Sequence, residues 1–444
     1  MGQTRRKFLS NSFSLAAGAS LLGIPAATLG MQGCSRRKGP NDRIGMALIG
    51  CRNMGFTNAC SFVEQPDVNL VALCDIDKNI LDARAADIQK YAYDKKLTVP
   101  KFTLYDDFRK VLENKDVDAV IVATPDHWHA LITIMACREG KDVYVEKPAA
   151  NSIYEADQMV RAAYRYKRVV QVGQWQRSGL HWQEMVDYIR SGKLGQISRV
   201  DAWRMGGNPV PKVPDSTVPA GVNYDMWLGP APLRPFNQNR FHYNFRWFWD
   251  YAGGKMTDWG VHMIDMALWA LDLKHPGSVK AAGGNLVYPN DDMETPDTLV
   301  VNYRFGPVEL VWENNFGVQA NAYGFDHGVS FQGENGELRA NRSFWEMYPK
   351  MVNGIPVIEP VNRNTNAGND LRLHVRDFLD SIKKRNLNTA ASIEIGRDAA
   401  TVAHLGNIAY RTGLEVHWNG ETGTFNEPEA NALLRPNYRK PWEI

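Results

Sequence analysis

From residue 44 onward, apolar and polar positions fall into two alternating patterns. Short apolar runs at Ile44–Ile49, Val68–Cys74, Val117–Ala123, Val143–Val145 and Val169–Val172 read as strands. Helical stretches lie between them: one after the Gly50–Gly55 turn, one from about Ile80, one over about Trp128–Arg138, and one that starts at a Ser152/Glu155 capping box and runs to about Lys167. This alternation predicts an α/β domain, a parallel sheet wound with helices. The pattern then changes. A helix over His181–Arg190 stops at Gly192, the run Ile197–Trp203 follows, and a Pro- and Gly-rich stretch from Gly206 to Gly221 reads as a substrate-side loop. Strand-like runs dominate from Val279 to Phe331, including Thr298–Phe305 and Val308–Trp312 about a Gly306-Pro307 turn. Helical patterns return at Leu371–Lys384 and Glu394–Arg411, so the second domain reads as α+β with a mostly antiparallel sheet. The expected division is a signal and linker at 1–40, the first domain at 41–165 and the second at 166–444.

The N-terminal forty residues carry a different pattern. Thr4-Arg5-Arg6-Lys7-Phe8-Leu9 is followed by a mildly apolar, Ala- and Gly-rich stretch from Phe13 to Met31, which is the layout of an export signal. Pro25 and several glycines make that stretch a poor membrane span. The paired arginines before Phe-Leu resemble the twin-arginine signal, which exports folded proteins to the periplasm. Gly33-Cys34 offers a lipoprotein cleavage site that would anchor Cys34, against cleavage near Pro25–Ala27, and Arg36 to Asp42 reads as a linker.

Charge and cysteine content narrow the rest. A net charge of +2 gives no reason to expect nucleic-acid binding. None of the five cysteines, Cys34, Cys51, Cys60, Cys74 and Cys137, has zinc-like spacing, so no metal is expected, and the four that fall in strands or helices of the first domain are expected to be buried thiols. The 13 Trp, 17 Tyr and 17 Phe build cores and also make flat platforms for sugar rings.

Four segments carry residues suited to nucleotide and proton chemistry. Gly50-Cys51-Arg52-Asn53-Met54-Gly55 lies between a strand and a helix, where a dinucleotide fingerprint belongs. Its first glycine permits the turn, its last permits close helix–strand packing, and the helix N-terminus offers N–H groups to a pyrophosphate. Arg52 replaces the middle glycine and can contact phosphate or ribose instead. Asp75 ends the second strand; its carboxylate suits the adenosine ribose and favours NAD, while Arg52 keeps NADP open, and the competing role for Asp75 is a helix cap. The next two strands end in Thr124-Pro125-Asp126-His127-Trp128-His129 and in Glu146-Lys147-Pro148. There Lys147, beside a nicotinamide, is expected to exchange a proton at a lowered pKa; the alternative for each motif is a solvated loop charge. In Asp258-Trp259-Gly260-Val261-His262 the acid and the imidazole are four apart and share one helical face. His262 can take a hydroxyl proton as hydride leaves the same carbon, and Asp258 can orient substrate or imidazole or cap the helix. Trp175, Arg177, Trp203, Arg204, Trp259 and the aromatic run Phe245–Tyr251 are pocket candidates, each equally suited to core packing.

Together these residues resemble the glucose–fructose oxidoreductase and inositol 2-dehydrogenase (Gfo/Idh/MocA) family over nearly all of the chain from about Asn41. The specific elements are Glu146-Lys147-Pro148 and Asp258-x-x-x-His262, with Thr124-Pro125 and Asp75 in support. The resemblance implies an α/β Rossmann domain, then an α+β domain with a large open sheet, often used for homo-oligomerisation. It implies a carbohydrate substrate and catalysis by Lys147 and His262, assisted by Asp258. Cofactor contacts are implied for Gly50, Arg52, Asn53, Met54, Asp75, Thr124, Pro125, His127, Trp128, His129, Glu146, Lys147 and Gln174. Substrate contacts are expected from Arg177, Trp203, Trp259, Asp258 and His262. Some relatives are exported NAD-dependent glycosidases that oxidise a sugar transiently, eliminate the aglycone and reduce the ring again. The intact Glu146-Lys147-Pro148 points to the dehydrogenase branch, and an export signal points the other way. A periplasm supplies no free NAD, so the cofactor is expected to stay bound and be recycled on the enzyme. A non-catalytic sugar-binding protein is the third reading, and retention of both Lys147 and His262 argues against it.

Overall fold

A computed structural model of the chain describes residues 43–321 and 323–444. The expected export signal, its cleavage site and the candidate lipid anchor at Cys34 lie outside the described residues. In the first domain β1 (Ile44–Ile49), α1 (Asn53–Val63), β2 (Val68–Cys74), α2 (Lys78–Asp94), β3 (Thr103–Tyr105), α3 (Phe108–Glu113), β4 (Ala119–Val122), α4 (His129–Arg138), β5 (Asp142–Val145), α5 (Ile153–Tyr166) and β6 (Val170–Val172) alternate along the chain. The six strands form one parallel sheet in the order 3-2-1-4-5-6, the Rossmann order. Every residue of β1 and β4 is buried because helices cover both faces, which is why these strands read as unbroken apolar runs. Phe62 of α1 and Leu81 and Ile88 of α2 pack on one face, and Val111 of α3, Leu131 of α4 and Met159 of α5 on the other. The expected capping box holds: Ser152 Oγ accepts the Glu155 N–H at 3.2 Å and donates to Glu155 Oε2 at 3.0 Å.

Two details differ from expectation. The strand at Ala119–Val122 is the fourth, not the third, because β3 has only three residues, none of them buried, and leaves no apolar run to read. The sheet also continues past residue 165 into β6, so the 165/166 division falls inside the first domain's sheet.

The second domain contains α6 (Leu180–Arg190), β7 (Ile197–Met205), α7 (Tyr224–Leu228), α8 (Val261–Leu271), β8 (Ser278–Gly284), β9 (Thr298–Phe305), β10 (Val308–Asn315), β11 (His327–Gly333), β12 (Gly336–Ala340), β13 (Trp345–Pro349), the small hairpin β14 (Met351–Val352) and β15 (Ile355–Pro356), then β16 (Val361–Asn364), α9 (Asp370–Lys384), α10 (Ile393–Thr412), β17 (Val416–Asn419), β18 (Thr424–Phe425) and α11 (Pro428–Asn431). Ten of these strands form one sheet in the order 16-13-12-11-7-10-9-8-17-18, antiparallel at every pair except β7–β10. Strand β9 shows the expected period of two, with Leu299, Val301, Tyr303 and Phe305 buried beneath α8 and α10. Helix α9 returns to the first domain, where Phe378 packs edge-on against Phe62 and Tyr144. Among the described residues no helix is long and apolar enough to cross a membrane. Cys51, Cys60, Cys74 and Cys137 are free and buried.

Candidate active site

The carboxyl ends of β1, β2, β4 and β5 converge on one cleft. Gly50 turns the chain at φ +88°, and a Cβ there would lie 2.6 Å from the Ala123 carbonyl oxygen. A Cβ on Gly55 would lie 1.9 Å from the Gly50 carbonyl oxygen, so both glycines of the imperfect fingerprint are sterically required. Helix α1 then starts with no side-chain cap and no acid in its first turn, the arrangement a bound anion completes. Asp75 faces the cleft and also braces the loop, its carboxylate accepting the Cys51 N–H at 2.8 Å and the Asp77 N–H at 3.0 Å. Burial pushes its carboxyl up to about 6, against the pull of those two N–H groups. The cap of α2 is Asp77, not Asp75.

Gly50, Arg52, Asn53, Met54 and Asp75 line one part of this cleft, of about 1110 Å³ with its mouth included, and Thr124, Pro125, Trp128, His129, Glu146 and Lys147 line another. Two expected cofactor residues are elsewhere. The short 3₁₀ turn Asp126–Trp128 sends neighbouring side chains opposite ways, so Asp126 faces the cleft. His127 points inward, its Nε2 3.0 Å from the Trp227 carbonyl and its ring against Tyr251. Gln174 is 1% exposed and stands off the cleft, with neither amide atom hydrogen-bonded. The aromatic run Phe245–Tyr251 reaches the cleft through Phe245 and Arg246, in the 3₁₀ helix His242–Trp247; the sequence reading missed His242 and Tyr243, which close the cleft from the same helix, His242 Nε2 reaching the Asp77 carboxylate at 3.0 Å.

The cleft suits a dinucleotide on its own geometry. The glycine cradle admits no Cβ, the α1 N-terminus is uncapped, and the buried Thr124 Oγ1 lacks a partner. Residues 50–54 would hold the pyrophosphate, Asp75 the adenosine ribose, and Glu146 and Lys147 the nicotinamide end.

Lys147 links this cleft to the second domain. Its Nζ donates to the Asp258 carbonyl at 2.6 Å and to Asp258 Oδ1 at 2.8 Å, and Arg246 Nε donates to the same Oδ1 at 3.1 Å. Burial alone would raise the Asp258 carboxyl, but the Lys147 and Arg246 charges outweigh it and hold the carboxyl far below the usual range. The adjacent Glu146 is buried, and Asn58 of α1 donates to its Oε1 at 2.8 Å. Asp126 faces the same charges, yet burial pushes its carboxyl up to about 7.

Asp258 and His262 do not pair as the α-helical spacing predicts. Met256–Gly260 is a turn of π-helix, wider than an α-turn, and it directs Asp258 to Lys147 and Arg246 rather than to the imidazole or a helix cap. His262 opens α8 in an aromatic box, its ring centroid 6.1 Å from that of Trp175 and 6.3 Å from that of Trp259. Burial, then the charges of Arg342 and Lys147, lower its pKa well below the ordinary value, so the imidazole is neutral and its buried Nδ1 has no partner.

Two expected substrate residues are structural instead. Arg177 forms a buried pair with Asp265 of α8, Nε to Oδ2 at 2.8 Å and Nη2 to Oδ1 at 2.7 Å, which ties the Trp175–Ser178 turn to the helix that carries His262. Trp203 is 2% exposed on the central strand β7 and donates Nε1 to the Phe325 carbonyl at 3.1 Å. Trp259 does reach the site, as does Arg204, whose guanidinium lies 4.3 Å over its ring and pairs with Asp326. Arg342, after β12, went unread in the sequence; its guanidinium lies 4.5 Å over Trp175 and 4.3 Å over Trp259.

Comparison with known proteins matches both halves of the chain. Residues 44–174 match the NAD-binding Rossmann fold of an oxidoreductase family and residues 197–444 match the C-terminal alpha/beta domain of the same family. A glycosyl hydrolase family 109 protein of Shewanella putrefaciens is 27% identical over 212 residues, 45% of this chain and 45% of that one, so the chain matches under half the length of the curated relatives. The WlbA dehydrogenase from Bordetella pertussis, solved with NADH and UDP-GlcNAcA, superposes with a TM-score of 0.62 at 17% identity, covering 85% of this chain and 99% of that one. An aldose–aldose oxidoreductase from Caulobacter crescentus, complexed with glycerol, superposes with a TM-score of 0.63 at 20% identity, covering 85% and 100%. These structural likenesses are likenesses of fold.

Proposed function

The chain belongs to the Gfo/Idh/MocA oxidoreductase family, and from that premise we propose that it transfers hydride between tightly held NAD and a hydroxyl or ketone of a sugar or glycoside. The observation that carries this reading is the meeting of Lys147, from the cofactor cleft, with Asp258, one turn before a neutral His262 in an aromatic box. Bound NAD supplies the hydride acceptor. His262, neutral and in reach of a ring stacked on Trp175 or Trp259, takes the hydroxyl proton as hydride leaves the same carbon. Lys147, steadied by the Asp258 carboxylate, hydrogen-bonds the oxygen whose charge changes. The half-buried aromatic walls shield that oxygen from water. Dehydrogenases and an aldose–aldose oxidoreductase among proteins of this fold support a sugar.

A second reading is favoured by the family 109 glycosyl hydrolase relatives. The same proton-handling groups would serve a glycosidase that oxidises a ring carbon, eliminates the aglycone across the neighbouring bond, adds water and reduces the ring again. Either cycle leaves the cofactor on the enzyme, which suits export in a folded, loaded state by the twin-arginine sequence around Arg5-Arg6.

The test is made on purified protein. It should carry nicotinamide, and a panel of free sugars and aryl glycosides should change the nicotinamide absorbance or release aglycone without net NADH. A well-folded protein that retains and binds no nicotinamide would overturn the reading.

A further inference from the structure

The substrate side of this site holds more positive charge than its own carboxylates neutralise. Lys147 and Arg246 both spend their bonds on one oxygen, Asp258 Oδ1. Arg204 pairs with Asp326. Lys255, buried at the start of the π-turn between Trp247 and Phe316, forms no ion pair with a carboxylate among the described residues. Arg342 is held differently from all of these. Its guanidinium lies over both Trp175 and Trp259, the two walls of the His262 box, and the hydrogen bond it makes among the described residues is from Nε to the neutral Gln176 Oε1 at 3.0 Å.

A half-buried guanidinium with fixed faces and terminal N–H groups unclaimed by any carboxylate is ready to bind an anion. Contact with two ring faces leaves the donors that point away from them free to hold a carboxylate or sulfate by two parallel bonds. Burial lowers the Arg342 pKa to about 10, the charge of Arg204 adding to it and the carboxylates of Asp258, Asp370 and Asp326 pulling the other way, so the guanidinium is still charged at neutral pH. The cofactor does not account for it, because Arg342, Arg204 and Lys255 are not among the residues that line the dinucleotide cleft.

We infer that the substrate is an acidic sugar, a glycosyl unit whose carboxylate or sulfate ester is read by Arg342 while its ring lies in the box beside His262. This deepens the proposed sugar oxidoreductase reading and rests on it for the sugar ring, but not for the anion. The neutral walls then sort ring size and hydroxyl pattern, and Arg342 sorts charge.

The test uses the NAD-loaded enzyme and calorimetric binding of matched pairs, so it does not depend on turnover. Methyl glucuronide is compared with methyl glucoside, and glucose 6-sulfate with glucose, in the wild type and in Arg342→Gln and Arg342→Lys. The wild type should bind at least one anionic member about tenfold or more tightly than its neutral parent, as charge-assisted bonds allow. Arg342→Gln should bring that ratio to about one, and Arg342→Lys should restore part of it, since lysine keeps charge without the planar fork. The two pairs separate carboxylate from sulfate. Bound nicotinamide and the unfolding midpoint of each variant check that it is folded. Equal affinity within both pairs, no binding of any member, or an anion preference that survives Arg342→Gln would overturn the inference. Arg342-dependent binding of the uronide with no change in nicotinamide absorbance under any condition would instead sink the redox reading and leave the anion site standing.

Discussion

Replacing Asp258 by Asn keeps the shape of the side chain and one oxygen acceptor while removing its charge. In the wild type that oxygen takes two charge-assisted bonds, from Lys147 at 2.8 Å and Arg246 at 3.1 Å. Such bonds contribute about 1.5–3 kcal/mol each and neutral ones about 0.5–1.5 kcal/mol, so Asp258→Asn should cost about 2–3 kcal/mol. The loss stays below that of a fully orphaned ion pair because Lys147 retains its 2.6 Å bond to the residue 258 carbonyl. If the same bonds position Lys147 at the reacting oxygen, kcat/KM should fall by about 30- to 150-fold, the kinetic equivalent of that energy. The pH dependence is fixed in sign. The folded Asp258 pKa is depressed, so its contribution is fully present above the unfolded value of about 4 and is lost as pH falls below it. The stability gap between wild type and Asp258→Asn should therefore be widest near neutral pH and narrow on acidification. Denaturant unfolding of the NAD-loaded proteins from acid to neutral pH, with single-turnover hydride transfer at each pH, measures both. A variant within about 0.5 kcal/mol of wild type at neutral pH, or a gap that grows on acidification, would refute the charge-cluster account.

His262→Asn should lower kcat by about 10²–10⁴-fold while the protein keeps its bound nicotinamide, measured by turnover and cofactor content on one preparation. Loss of nicotinamide with unchanged single-turnover rate would place His262 in cofactor binding instead. Asp126 has a folded pKa raised to about 7, so its contribution is fully present below about 4 and is lost as pH rises through 7. Asp126→Asn should match wild-type stability in acid and exceed it above neutrality; parallel stability curves would count against a buried titrating carboxyl. Arg177→Met leaves the fully buried Asp265 without its counter-charge and should cost about 3–5 kcal/mol in denaturant unfolding. Adding Asp265→Leu should recover most of that, whereas a substrate-binding arginine would show a raised KM and little loss of stability.

Local sequence carried the elements whose signal is local. The sheet strands buried on both faces, the Ser152 cap and the alternation in β9 each appear as a run, a cap pair or a period of two. Strand β3 did not, being three residues with no buried position, and neither did β12, β13 and β16 at one edge of the second sheet or the separate β14–β15 hairpin, where burial is incomplete and the pattern thins. Cofactor residues were legible because strand ends and the following turn bring their chemistry together within a few positions: Gly50 to Gly55, Asp75, Glu146-Lys147. One step of a 3₁₀ turn was enough to exchange His127 for Asp126 at the cleft.

The substrate side follows a different logic, and its errors and omissions share one cause. Arg177 and Trp203 were chosen because Arg and Trp near a candidate site suit sugars, but a buried carboxylate on α8 claims the first and the centre of a ten-stranded sheet claims the second. Arg342 lies 80 residues after His262 and comes to it only because β11 pairs with β7 and β12 with β11, which carries the end of β12 back beside the π-turn. No periodicity records that path. What marks Arg342 is that no carboxylate among the described residues bonds to it, a property of the assembled site rather than of the chain. A cation that the fold half-buries against two tryptophans, with Asp258, Asp370 and Asp326 acting on it from nearby but no carboxylate bonded to it among the described residues, has a desolvation cost only partly offset, and an anionic ligand can offset more of it. The same reasoning separates Arg342 from Arg177, which is more deeply buried beside an aromatic ring but paired with Asp265, and it assigns recognition to the first and architecture to the second.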